Sequence, residues 1–200
     1  MTVTLVDCPD PGVLEGRLVR LEPLAEAHIQ ELWGAAQAAE IWPLMLERLD
    51  SRSAVDAYVR TALAYRQAGT GSAFAVRLLA DGQVIGSSRY LEVSRPNHRL
   101  EIGGTWYHPR VWGTKVNPET KLLLLRYAFA QWQARRVQLK TDALNVHSQA
   151  GIRKLGAIYE GTLRAYQVRP DGSSRDTTLF SITADQWPAV EARLLARLGQ

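Results

Sequence analysis

His108-Pro-Arg-Val-Trp-Gly-Thr-Lys-Val-Asn-Pro-Glu119 reads as a loop that opens a helix, and what flanks it decides the fold. Asn117 is a favoured N-cap, Pro118 suits the first helical position, and Glu119 suits the positive end of the helix dipole. Leu122, Leu125, Phe129 and Trp132 recur three to four residues apart, which predicts a helix from Asn117 to about Gln133 with one face packed on a sheet. A strand over 100–108 precedes the loop, a strand over 136–141 follows the helix, and another helix is expected over 145–155. Strand, helix, strand implies a parallel pair with a right-handed crossover. The opening where such a pair ends is where α/β folds place ligands.

Outward from this unit the pattern changes. The β-rich runs 74–79 and 84–93 flank Asp81-Gly82, a strong hairpin signal, and 163–169 and 177–182 flank a second turn over 170–174. Residues 16–22 alternate as a first strand closed by Pro23, and 25–37 follow with helical spacing. Ser53 with Asp56 three residues on reads as an N-cap opening a second helix, and 185–198 form a terminal helix with Pro188 in its first turn. Antiparallel hairpins on either side of one parallel unit predict a mixed α/β sheet in a single domain spanning 1–200, with its core over about 16–185.

Composition narrows the function. The chain of 200 residues is 46% hydrophobic and 22% charged, which is globular rather than disordered, and it is long enough to bury a sizeable core. The lone Cys8 cannot form an internal disulfide and fits a reducing cytoplasm. The first ten residues lack the basic flank and apolar run of a signal peptide, and no apolar run approaches the ~20 residues of a membrane span. A net charge of +4 suits an anionic ligand without singling out nucleic acid. The four histidines are scattered without metal-ligand spacing, so no metal is expected, and Gly-x-Ser-x-Gly is absent.

A helix N-terminus offers free N–H donors and partial positive charge, which suits phosphates. Arg110 and Lys115 add full charges, Gly113 lets backbone approach an anion, and Thr114 supplies a hydroxyl. The same residues also describe an ordinary capped helix with solvated basic neighbours. The spacing is not that of a Walker A loop.

Four segments, in order, resemble the GNAT superfamily of acyl-CoA-dependent N-acyltransferases, and within it the branch that acetylates N-terminal amines of ribosomal proteins. Glu101-Ile-Gly103 running to Trp106-Tyr-His-Pro109 resembles its central strand, and Arg110-Val-Trp-Gly113-Thr-Lys its pyrophosphate loop. Asn145-Val-His-Ser148 and Lys154-Leu-Gly-Ala157 resemble the following helix, and Gly16-Arg-Leu-Val-Arg-Leu-Glu-Pro-Leu24 the opening strand. The resemblance implies acetyl-CoA as cosubstrate, held by Trp106, Tyr107, His108, Arg110, Gly113, Thr114, Lys115, Val116 and Asn117, with Asn145, Ile152 and Lys154 on the later helix. It also implies a central strand splayed from its parallel neighbour. Two positions depart from the family pattern: Lys115 stands where a second Gly or Ala is usual, and Ile152 where many members carry a tyrosine acid. The pair Gly103-Gly104 favours a bulge that would put Glu101 and Trp106 on one face and free N–H groups near Trp106 and Tyr107 to polarise a thioester carbonyl.

Glu101 is the leading candidate base, because a carboxylate on a central strand is seldom packing material; a charge pair with Arg89 or Arg99 is the competing role. Ser148 is the hydroxyl best placed to meet a departing thiolate, or a helix serine bonded only to backbone. Asn145 suits the pantetheine amides and equally an N-cap. Arg153 and Lys154 suit a ribose phosphate or a solvated helix face. Trp33, Trp42 and Tyr58 read as core or acceptor wall, with residues 40–46 as a lid. The motif region has no cysteine, so direct attack by a bound primary amine is expected rather than an acyl-cysteine route. The acceptor is a peptide N-terminus or a small amine, a CoA-binding sensor without turnover is the reading from another class, and a homodimer through the C-terminal strands or helix is compatible with the sequence.

Overall fold

The computed structural model describes residues 9–200; Cys8 and the leading arm lie outside the described residues. Eight strands form one sheet in the order β1-β2-β3-β4-β5-β6-β8-β7. They are β1 (Leu14–Glu15), β2 (Val19–Pro23), β3 (Ser72–Leu78), β4 (Val84–Ser94), β5 (Arg99–Tyr107), β6 (Arg136–Asp142), β7 (Ile158–Val168) and β8 (Ser174–Thr183). Every neighbouring pair is antiparallel except β5 and β6. Five helices complete the fold: α1 (Ile29–Ala35), α2 (Arg52–Gln67), α3 (Val116–Arg126), α4 (Val146–Leu155) and α5 (Trp187–Leu198). The mixed sheet, both hairpins and the crossover through α3 agree with the sequence.

Each face of the sheet carries its own core. On one, α1, α2 and the segment between them bury Leu32, Ile41, Trp42, Val55, Tyr58 and Val59 against Ala73, Ala75 and Trp106. On the other, α3, α4 and α5 bury Leu122, Leu125, Ile152, Val190 and Leu194 against Phe74, Tyr90, Leu100, Val137 and Phe180. Trp42 and Tyr58 are therefore core residues, and Ile41 and Trp42 anchor the segment expected as a lid.

Three boundaries differ from expectation for local reasons. The N-cap of α2 is Ser51, which accepts from Ala54 N at 3.1 Å, rather than Ser53. Helix α3 begins at Val116, with Lys115 at the N-cap, because Thr114 Oγ1 accepts from Val116 N at 3.3 Å. Asn117 thus lies inside the first turn, where Pro118 is tolerated because that turn's N–H groups need no intrahelical acceptor. The α-helix stops at Arg126 and passes into a π-helical turn over Tyr127–Gln131, short of the single helix expected to about Gln133.

Candidate active site

The parallel ladder between β5 and β6 is only three pairs long: Arg99, Leu100 and Glu101 against Arg136, Val137 and Gln138. Beyond it β5 runs on to Tyr107 paired with β4 alone, and β6 runs on to Asp142 paired with β8 alone. The strands part into a gap at the middle of the sheet, and one edge of β5 over residues 102–107 faces it without a strand partner. This is the expected splay, and its apex is Glu101.

The expected bulge is also present. Glu101 pairs with Leu91, Gly103 with Arg89, and Trp106 with Ser87, so three steps along β5 match two along β4. Ser87, Arg89 and Leu91 share one face by alternation, which places Glu101, Gly103 and Trp106 together on the α2 side. The two glycines have separate tasks. A Cβ on Gly103 would lie 2.3 Å from Glu101 Oε1, and one on Gly104, whose φ is +54°, would lie 2.3 Å from Arg89 Nε. Gly103 makes room for the carboxylate and Gly104 for the guanidinium.

Glu101 is 6% exposed, and its Oε2 accepts from Lys140 Nζ at 2.8 Å. Burial pushes its carboxyl above the ordinary range, while Lys140 pulls against that shift. Its ion-pair partner is this β6 lysine and not Arg89 or Arg99, because the parallel register sets Glu101 opposite Gln138 and brings Lys140 beside it one pleat on. Arg89 instead lies 4.8 Å over the Tyr58 ring and pairs with Glu47. Lys140 also meets Glu92, and its Nζ is 5.3 Å from the centroid of the Tyr166 ring. Burial opposes the charge on Lys140, but Glu101 and Glu92 hold its pKa above the ordinary lysine value.

The loop before α3 is organised differently from its sequence reading. Arg110 pairs with Asp81 at 2.6 Å and reaches Gln83 at 3.3 Å, tying the loop to the β3–β4 turn. Lys115 turns to the end of α5, where Nζ donates to Leu198 O at 3.0 Å. A cation at a helix C-terminus is favourable, so this side chain serves α5. His108 Nδ1 accepts from Arg110 N at 3.2 Å, and Thr114 Oγ1 donates to Val111 O at 2.7 Å. The Tyr107 hydroxyl donates to Asn117 Oδ1 at 3.3 Å, and burial raises the phenol's pKa. Val116 is buried in the α3-side core. Glu119 does more than meet a dipole: its carboxylate accepts the backbone N–H groups of Arg17, Leu18 and Val19 at 3.0, 2.7 and 2.8 Å. What faces outward is backbone around Gly113, whose φ is +75° and whose added Cβ would meet nothing within 4 Å.

Across the gap, Asn145 Oδ1 accepts from Ser148 N at 2.9 Å, the N-cap role. Ser148 is half-buried, Ile152 is packed in the core, and Lys154 is exposed on the outer side of α4. Arg153 lies over the rings of Tyr159 and Phe180. Two buried donors on the α2 side, Trp106 Nε1 and Arg89 Nε, have no acceptor among the described residues. A free strand edge, the orphaned Trp106 donor on that strand and open backbone at Gly113 fit a ligand that combines amide-rich, carbonyl and phosphate groups, as CoA thioesters do.

Reading along the chain misses Lys140 and Lys121. Lys140 sits in the polar row Gln138, Lys140, Asp142 that alternates with Val137 and Leu139, so its face was readable once the parallel register was known. Lys121 lies on one stripe with Leu125, Ala128 and Trp132, and a lysine on an apolar stripe is itself a signal. Among the described residues there is no group of three or more His, Cys, Asp or Glu able to hold a metal ion. No helix of the described residues is long and apolar enough to cross a membrane. An open depression of about 630 Å³ between α1 and α2, lined by Glu26, Ile29, Arg52 and Asp56 among others, shares no residue with the gap.

Residues 18–158 match the Acetyltransferase (GNAT) domain. No curated protein matches the sequence. Among solved structures, a T. thermophilus protein provisionally named an acetyltransferase is 35% identical, covering 94% of this chain and 98% of its own, with a TM-score of 0.85. A GCN5-related N-acetyltransferase from Brucella melitensis is 27% identical over 94% of this chain and 86% of its own, with a TM-score of 0.86. Mycobacterium smegmatis RimJ, in complex with CoA-disulfide, is 22% identical over 97% of this chain and 98% of its own, with a TM-score of 0.82.

Proposed function

Because the chain belongs to the GNAT acetyltransferase family and is an acetyl-CoA-dependent N-acyltransferase, we propose that its acceptor is the N-terminal amine of a protein or peptide, attacking directly in a ternary complex. The observation that carries this reading is the parting of β5 from β6 directly beyond a buried glutamate. The resemblance of its motifs to the branch that acetylates N-terminal amines of ribosomal proteins supports the choice of acceptor class.

Acetyl-CoA supplies an acetyl group already activated as a thioester. The free edge of β5 binds the pantetheine amides as an added strand would, and Asn145 meets them from the far side of the gap. The N–H groups of the loop around Gly113, Lys115 and Asn117 face the pyrophosphate, while the loop's side chains hold it in shape. Glu101 takes the amine proton. Its raised pKa makes it a stronger base than an exposed carboxylate, and Lys140 holds it in place. The N–H groups beside the bulge polarise the carbonyl, and Ser148 donates a hydrogen bond to the departing sulfur.

The test is thermal unfolding with acetyl-CoA, CoA and ATP, followed by free-thiol release across an amine panel. A ligand at about a hundredfold excess over Kd adds ~3 kcal/mol and raises Tm by about 5–10 °C. Shifts with both CoA species but not ATP, and turnover with several N-terminal peptides, are expected. Turnover confined to free amino acids or polyamines would transfer the assignment to a small-amine enzyme, and no shift with either CoA species would overturn it.

A further inference from the structure

Helix α3 sends one ionisable amine into the protein. Lys121 is 5% exposed, and its Nζ donates to Thr105 Oγ1 at 2.7 Å. Thr105 Oγ1 also lies 2.7 Å from Ser88 Oγ. Among the described residues no carboxylate comes within ion-pair distance of Lys121. A lysine this deeply buried is ordinarily paired, since an uncompensated ammonium is costly there. Two hydroxyls are a weak return for such a placement.

The position is specific. Thr105 belongs to the bulge of β5, on the stretch that faces the gap without a strand partner. Glu101 and Trp106 occupy the α2 side of that strand, and Thr105 with Lys121 the α3 side. Around the free stretch of β5, a carboxylate therefore lies on one side of the sheet and a buried amine, bonded to Thr105, on the other. The charged group that acts on Lys121 is Glu101, and burial brings the amine down to about 7. Ile152, in the core of α4, can donate no proton, and the hydroxyl of Ser148 can donate a hydrogen bond but no net charge.

On the acetyl-transfer reading, we propose that Lys121 is the catalytic residue that meets the departing CoA sulfur and gives it a proton. The acceptor nitrogen bonds to the acetyl carbon and loses its proton to Glu101. The carbon–sulfur bond breaks with its electron pair on sulfur, which takes a proton from the Lys121 ammonium. Both side chains return to their starting states by exchanging one proton with solvent after the products leave. A group titrating near neutrality is well matched to this task.

The direct readout is the thiol of bound CoA, titrated by its thiolate absorbance between pH 5 and 10. An ammonium within about 4–6 Å lowers the pKa of a neighbouring acid by ~1–3 units. The thiol of CoA bound to the wild-type protein is expected to titrate at least about one unit below that in Lys121→Met, with Thr105→Val in between. CoA affinity at pH 6 should stay within roughly threefold, since the ammonium acts on the ionised sulfur. Equal thiol titrations in wild type and Lys121→Met would overturn the proposal, as would a Ser148→Ala shift as large as that of Lys121→Met, since a neutral hydrogen bond moves the thiol less than an ammonium does. If Lys121→Met does not fold, Thr105→Val decides by the same criterion. A wild-type protein that binds no CoA would remove the acetyl-transfer reading and this role with it, an outcome distinct from binding with an unmoved thiol.

Discussion

Glu101 carries the largest consequence of any single side chain. It is buried at the apex of the gap, bonded to Lys140, and pressed against Gly103. A base must be ionised to accept a proton, so turnover should be lost as pH falls through the raised pKa of Glu101. Glu101→Gln keeps the shape and the contact with Lys140 but removes the basicity. It should lower kcat by about 10²-fold, leave KM for acetyl-CoA little changed, and abolish the acid limb of the kcat profile. An acid limb that survives in Glu101→Gln would assign proton abstraction to another group. The glutamate itself was legible from the sequence, as a carboxylate in a central strand. Its partner was not, because Lys140 comes from a strand about 40 residues away through a parallel register that no local pattern encodes.

At the scale of elements, the bulge of β5 does most to set the site. It turns Trp106 onto the face of Glu101 and leaves Thr105 on the other. Gly104 permits it twice over, through its φ of +54° and through the space that Arg89 fills. Gly104→Ala should therefore cost about 2–3 kcal/mol, lower Tm by about 5–10 °C, and reduce turnover because Glu101 and Trp106 lose register. Gly172→Ala is the matched control, with φ of +83° and nothing within 4 Å of an added Cβ. It should show only the backbone cost of ~1 kcal/mol and full turnover. Equal losses in the two variants would mean that the Arg89 contact contributes nothing. The bulge was readable because two adjacent glycines interrupt a β-rich run. The cap of α3 was misread by two residues, because a threonine in the loop bonds the Val116 N–H and the helix starts before Asn117. Likewise Arg110 and Lys115 look like anion ligands in a linear string, yet the fold brings Asp81 and the end of α5 to them. Charge along the chain is visible in sequence; its long-range partner is not.

For the molecule as a whole, the sheet that separates two cores comes apart where the chemistry is placed, and the larger core accepts an ionisable amine beside that opening. Keeping Lys121 there costs global stability, and the sign follows from proton counting. The unfolded chain holds the lysine proton up to about pH 10.4, whereas the folded protein releases it near 7. Between those values the unfolded state binds more protons, so this residue makes the folded state more stable as pH rises. Below about pH 7 the residue is charged in both states and the full burial cost is felt. Lys121→Met removes the titration while keeping most of the buried volume. The difference in unfolding free energy, wild type minus Lys121→Met, should be most negative near pH 6 and rise by on the order of 2 kcal/mol by pH 9. Urea unfolding of both proteins at matched pH values measures it, and the subtraction cancels the other titrating groups the two chains share. A difference that stays flat from pH 6 to 9 would mean that the folded protein keeps the ammonium charged throughout, with water or a rearranged carboxylate stabilising it. A rising difference would establish an amine near its midpoint at neutral pH, as proton donation to a leaving thiolate requires.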